Sequence, residues 1–133
     1  MERSGDWMKQ ARSDLDHARH DLEAEFHEWA CFSAQQAAEK AVKAVVQHLG
    51  GEAWGHSVAD LLRELAERHD VSEDLLDGAL ELDKSYIPTR YPDAHPSGVP
   101  RERYTRAEAK RHIGHAKRIL TFCERLLADA GSE

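Results

Sequence analysis

The stretch YIPTRYPDAHPSG, residues 86–98, sets an arginine, an aspartate, a histidine and two tyrosines among three prolines. Arg90 and His95 stand in the pattern R-x4-H. Histidine titrates near neutrality and can take or give a proton. Arginine is a fixed planar cation whose fork of donors suits phosphate. Such a loop can hold an anion and move a proton beside it. It can also be a plain connector, with Arg90 in a salt bridge to an acidic body and His95 exposed. Tyr91 is suited either to stacking on a base or ribose or to plugging the end of a helical bundle.

Other residues are candidates for a ligand. Lys40 and Lys43 lie one helical turn apart and can reach an anion, or they are solvated, with Lys43 paired to Glu39 at i,i+4. His56 precedes Ser57 and either faces a ligand or neighbours the bundle end. The pairs His17/His20 and His112/His115 have i,i+3 spacing but lack a third ligand, so no metal is expected. Cys31 and Cys123 lie in apolar helical patterns and read as buried free thiols. Trp7, Trp29 and Trp54 read as core or interface aromatics. No phosphate-cradling glycine loop, nucleophile elbow or zinc-protease motif is present, and no cofactor is expected.

Charge is uneven along the 133 residues. Residues 1–87 carry 9 Lys/Arg against 19 Asp/Glu, whereas residues 88–118 carry 8 against 3. The net −7 argues against a general nucleic-acid coat protein. The local basic excess leaves room for an anionic ligand. No apolar run approaches the roughly 20 residues that span a bilayer. The segment MERSGDWMKQ lacks the apolar core of a signal peptide, so a cytoplasmic location is the expectation.

The elements that must position these residues are helices. Trp7, Ala11, Leu15, Ala18 and Leu22 recur at helical spacing, predicting a helix over 6–25. A second, over 27–49, carries the stripe Ala30, Ala34, Ala37, Ala41 and Val45, widened by Trp29, Phe32 and Val42. That breadth marks it as the central helix. Ser57 and Ser72 are N-caps for two more, the latter helix over 73–86. All four prolines fall in the loop 87–104, every fourth residue, which predicts an extended, stiff path. Thr105-Arg106-Ala107-Glu108 is a capping box opening the last helix. Its seam runs Ala109, Ile113, Ala116, Leu120, Cys123, Leu127, Ala130. The expected fold is one all-α domain over 1–133, an up-and-down bundle of four to five helices with a long Pro-rich loop before the last.

Three motifs in order carry a resemblance: Gln36-Ala37-Ala38-Glu39-Lys40-Ala41-Val42-Lys43, Gly55-His56-Ser57 and Thr89-Arg90-Tyr91-Pro92-Asp93. The chain resembles the HEPN domain (higher eukaryotes and prokaryotes nucleotide-binding), in its small stand-alone prokaryotic type, over about residues 6–127. The resemblance implies a helical bundle that forms homodimers and binds a nucleotide or RNA. It implies a minimal nucleotidyltransferase as partner, in a two-component, toxin–antitoxin-like system. It also implies metal-independent RNase activity through R-x4-6-H, which falls on Arg90 and His95. Arg90, Tyr91, Asp93, Lys40 and His56 are the expected nucleotide contacts. The other class of reading is a non-catalytic dimeric module that docks the nucleotidyltransferase.

Overall fold

The computed structural model describes residues 2–131, with side chains through residue 129. Its helices are α1 (Ser4–Glu23), α2 (His27–His48), α3 (Val58–Leu65), α4 (Glu73–Asp83), α5 (Pro100–Arg103) and α6 (Arg106–Gly131), with a 3₁₀ turn at Pro92–Ala94. No strand occurs among the described residues. The fold is the expected all-α bundle, with the single turn α5 as an additional element. No helix among the described residues is long and apolar enough to cross a membrane.

α2 is the central helix because its small side chains admit neighbours on every side. Ala34, Ala37, Ala38, Ala41 and Ala44 are fully buried. α1, α3, α4, α5 and α6 all pack against it. α1 supplies Met8, Ala11, Leu15 and Ala18, and α3 supplies Val58, Leu61, Leu62 and Leu65. The seam of α6 buries Ala109, Ala116, Leu120 and Cys123, with Ile113 and Leu127 half-buried. The seam's last member, Ala130, lies outside the described side chains. Both cysteines are free and buried, and burial pushes the Cys31 thiol up to about 12. Trp7 is half-buried, but Trp29 and Trp54 are 44% and 77% exposed and belong to the surface rather than the core.

Two expectations for the proline-rich region need correction. α4 stops at Asp83, and residues 84–90 continue as turns rather than helix. The loop is not extended throughout, because Pro92 opens a 3₁₀ turn and Pro100 opens α5. Proline has no N–H to lose at the first position of a helix, and its fixed φ suits that position. Even spacing of prolines therefore excludes helix interiors but not helix starts.

The end of α4 is tied to the start of α3 by one carboxylate. Asp83 accepts from Ser57 Oγ at 2.9 Å, from the Val58 N–H at 2.8 Å and from the Ala59 N–H at 3.0 Å. Ser57 Oγ also accepts from the Asp60 N–H at 3.1 Å, as the N-cap reading requires. Together they satisfy the free donors of the first turn of α3. Asp83→Ala is expected to cost about 2 kcal/mol in urea-induced unfolding, the scale of a lost charged acceptor plus a lost cap. A loss below about 0.5 kcal/mol, the scale of ordinary surface substitutions, would contradict this role.

Candidate functional site

The turns after α4 bring Arg90 back over its own chain. Thr89 is buried, and its hydroxyl donates to the Ser85 carbonyl at 2.7 Å. Arg90 Nε and Nη2 donate to the Tyr86 carbonyl at 3.0 and 2.8 Å. The guanidinium carbon then lies 4.5 Å from the Phe32 ring centroid, 4.7 Å from that of Tyr86 and 5.2 Å from that of Tyr91. Three ring faces hold this cation. The salt bridge to an acidic body is not formed, since no carboxylate pairs with Arg90 among the described residues. By contrast Arg3, Arg12, Arg19, Arg63 and Arg111 each have one. Arg90 is thus positioned without being neutralised.

The rings continue along one edge of α2. Trp29 meets Phe32 edge-on at 6.1 Å, and Phe32 lies 6.1 Å from Tyr86. His56 stacks on Tyr86 at 4.7 Å with an interplanar angle of 17°. Its Nδ1–H donates to Glu39, 3.2 Å from each carboxylate oxygen. Glu39 is buried, and it also accepts from Lys43 Nζ at 3.1 Å. Gln35 donates to the His56 carbonyl at 2.9 Å, fixing the segment before α3 against α2. The Glu39–Lys43 pair expected on the surface is therefore an interior one, with Lys43 also buried.

The remaining expected contacts are dispersed. Tyr91 is 47% exposed beside the Arg90 guanidinium. Asp93 is exposed in the 3₁₀ turn. His95 turns another way: its Nε2–H donates to the Pro88 carbonyl at 2.6 Å, and its ring meets Tyr104 edge-on at 6.2 Å. It shares no partner with Arg90. Lys40 is ion-paired with Asp14 of α1 and likewise shares no partner with the Arg90 group. Three of the four His-x-x-His residues are spent on separate contacts: His17 on Ser33 and Asp21, His112 on Ser85, and His115 on Glu81.

Behind the turn, a buried clamp joins it to α6. The Ser85 hydroxyl donates to His112 Nε2 at 2.8 Å, while His112 Nδ1–H donates to the Glu108 carbonyl at 2.9 Å. Spacing points His112 toward His115 and gives no sign of Ser85, which lies 27 positions earlier. Burial pushes the His112 pKa below its ordinary value of 6.5, helped slightly by His115 and Arg111 and opposed by the hydrogen bond to the Glu108 carbonyl and by the Glu81 charge. Protonation would remove the acceptor that Ser85 uses. The unfolded chain takes up this proton first, so the residue destabilises the fold as pH falls below about 6.5. The loss grows until the lower, folded pKa is passed. His112→Gln is therefore expected to be less stable at pH 8 but to lose less on going from pH 7 to pH 5. Equal losses in urea titrations of both proteins would contradict the clamp's titration.

The family model of the HEPN domain matches residues 4–126. No curated protein matches the chain. Three solved structures are similar over nearly their whole length. TT1696 from Thermus thermophilus is 52% identical, with a TM-score of 0.92, covering 95% of this chain and 99% of its own. An HEPN domain protein (TM0613) from Thermotoga maritima is 56% identical, with a TM-score of 0.77 and coverage of 92% and 97%. ST0689, an archaeal HEPN homologue, is 44% identical, with a TM-score of 0.79 and coverage of 93% and 97%.

Proposed function

Given that the chain belongs to the HEPN domain family, we propose that it binds a nucleotide or an RNA phosphate at Arg90. The observation that carries this reading is a guanidinium held by three rings and a backbone carbonyl, with no carboxylate partner among the described residues. A phosphate supplies the missing counter-charge. Tyr91, half-exposed at its side, offers a face for a base or ribose. His56 stacks on Tyr86, whose carbonyl holds Arg90, and Asp93 stands exposed in the 3₁₀ turn three residues on. The family's metal-independent RNA cleavage is the chemistry proposed for such a ligand. The proposed partner is a minimal nucleotidyltransferase in a two-component, toxin–antitoxin-like arrangement; that part rests on family resemblance alone.

Calorimetry with a nucleoside monophosphate and with a short single-stranded RNA tests the site. Arg90→Ala is expected to weaken binding roughly 10- to 100-fold, the value of one charged hydrogen-bonded contact. Lys40→Met, which breaks the Asp14 pair, is expected to lower stability and leave affinity near wild type. Equal affinity of Arg90→Ala and wild type would contradict the assignment.

A second reading has its own support. Phe26, Trp29 and Tyr91 are 42%, 44% and 47% exposed. Large apolar side chains left open in this way mark interaction surfaces. We assign this face to a second copy of the chain. Trp29→Arg is expected to convert a dimer to a monomer in sedimentation velocity, with the helical spectrum unchanged. A variant that sediments like wild type would remove Trp29 from the interface.

A further inference from the structure

His56 has an arrangement that R-x4-H does not describe. Its Nδ1–H is held by a carboxylate, so the neutral ring keeps its lone pair on Nε2. The imidazole side chain is 56% exposed while the carboxylate behind it is 5% exposed. Glu39 is itself fixed by Lys43 and by Gln35, whose Nε2 lies 3.4 Å from Oε1. The imidazole therefore has a rigid buried acceptor behind it and solvent in front. Carboxylate-held histidines of this kind keep one tautomer and one orientation.

The second half of the geometry is the shared tyrosine. The His56 ring and the Arg90 guanidinium carbon each lie 4.7 Å from the Tyr86 centroid. Imidazole and cation thus share the Tyr86 ring and lie at most twice that distance apart. A ribose and its 3′-phosphate fit such a span. The Tyr86 carbonyl engages Nε and Nη2 of Arg90, leaving Nη1 without a protein acceptor among the described residues. His95, with Nε2 committed to the Pro88 carbonyl, has no comparable relation to Arg90.

We infer that His56 is the general base of an RNA-cleaving site in which Arg90 holds the scissile phosphate and Glu39 is the positioning residue. The inference rests on the phosphate-binding reading above. His56 Nε2 removes the proton of the ribose 2′-hydroxyl. The 2′-oxygen attacks the adjacent phosphorus; the P–O2′ bond forms as the P–O5′ bond breaks. The departing 5′-oxygen keeps the bonding pair and takes a proton from solvent, and the imidazolium returns its proton to solvent. The products are a 2′,3′-cyclic phosphate and a 5′-hydroxyl, with no net gain or loss of atoms or electrons. Arg90 stabilises the charge that builds on the non-bridging oxygens.

The test is cleavage of an end-labelled single-stranded RNA by the full chain in the presence of EDTA. Wild type is expected to leave cyclic-phosphate ends. His56→Ala is expected to be slower by roughly 100-fold or more, the usual contribution of a positioned base. Added imidazole is expected to restore part of that rate, a response that loss of a merely structural side chain does not give. His95→Ala is expected to keep most of the activity. Because Glu39 is buried, Glu39→Gln is read only after its helical spectrum matches wild type, and then as a fall in kcat larger than any change in KM. Full activity in His56→Ala, or no recovery with imidazole, overturns the inference. RNA that binds through Arg90 but is not cleaved by wild type also overturns it and leaves the binding reading intact. RNA that does not bind at all overturns both.

Discussion

The buried carboxylate of Glu39 is the constraint from which the site's geometry follows. A charge in the interior is tolerated only with partners, and one left alone there would cost several kcal/mol. Lys43 supplies one partner from the same helix, one turn on. The other comes from His56, seventeen positions further along the chain. That bond, with the one from Gln35 to the His56 carbonyl, pulls the segment before α3 onto α2. His56 then provides the face on which Tyr86 stacks, and the Tyr86 carbonyl holds Arg90. A polar group inside the central helix thus reaches the cation on the surface through three successive contacts.

The frame around this line is built from redundancy of a different kind. Asp83 joins α4 to α3, Ser85 and His112 join the following turn to α6, and Thr89 closes that turn on the Ser85 carbonyl. Each is a side-chain bond to a backbone group or to another buried side chain, at a place where helices end and backbone donors need partners. The residues that carry Arg90 are therefore anchored to three helices, although they belong to none. Such anchoring is what a site on a loop requires if its groups are to be held in one arrangement.

Much of the fold is legible in the sequence, for local reasons. Ser57 and Ser72 cap α3 and α4 as their types predict, and the alanine stripe of α2 predicts its central place. Periodicity states which residues are inside; it does not state what a charged residue meets there. Glu39 and Lys43 have the spacing of a surface pair and form a buried one. Asp83 caps a helix 24 to 26 positions earlier in the chain, and no local signal announces such a bond. The end of α4 is not legible because Tyr86 fits the apolar period, although its ring serves His56 and Arg90. The family motifs locate the region of the site, but R-x4-H pairs Arg90 with a histidine that turns to Pro88 and Tyr104. His56 lies in a separate segment, and what it shares with Arg90 is contact with the Tyr86 ring. Proximity of that kind is a property of the fold, not of spacing.

Arg90 as the cation for a phosphate is the central claim. A crystal structure of the chain with a 2′-deoxy dinucleotide, which can bind but not react, tests it most directly. The phosphate is expected at the Arg90 guanidinium, with a base against Tyr91 and the sugar toward His56. A phosphate seated elsewhere, for instance along Lys117, Arg118 and Arg125 of α6 with the Arg90 group unvisited, would contradict it.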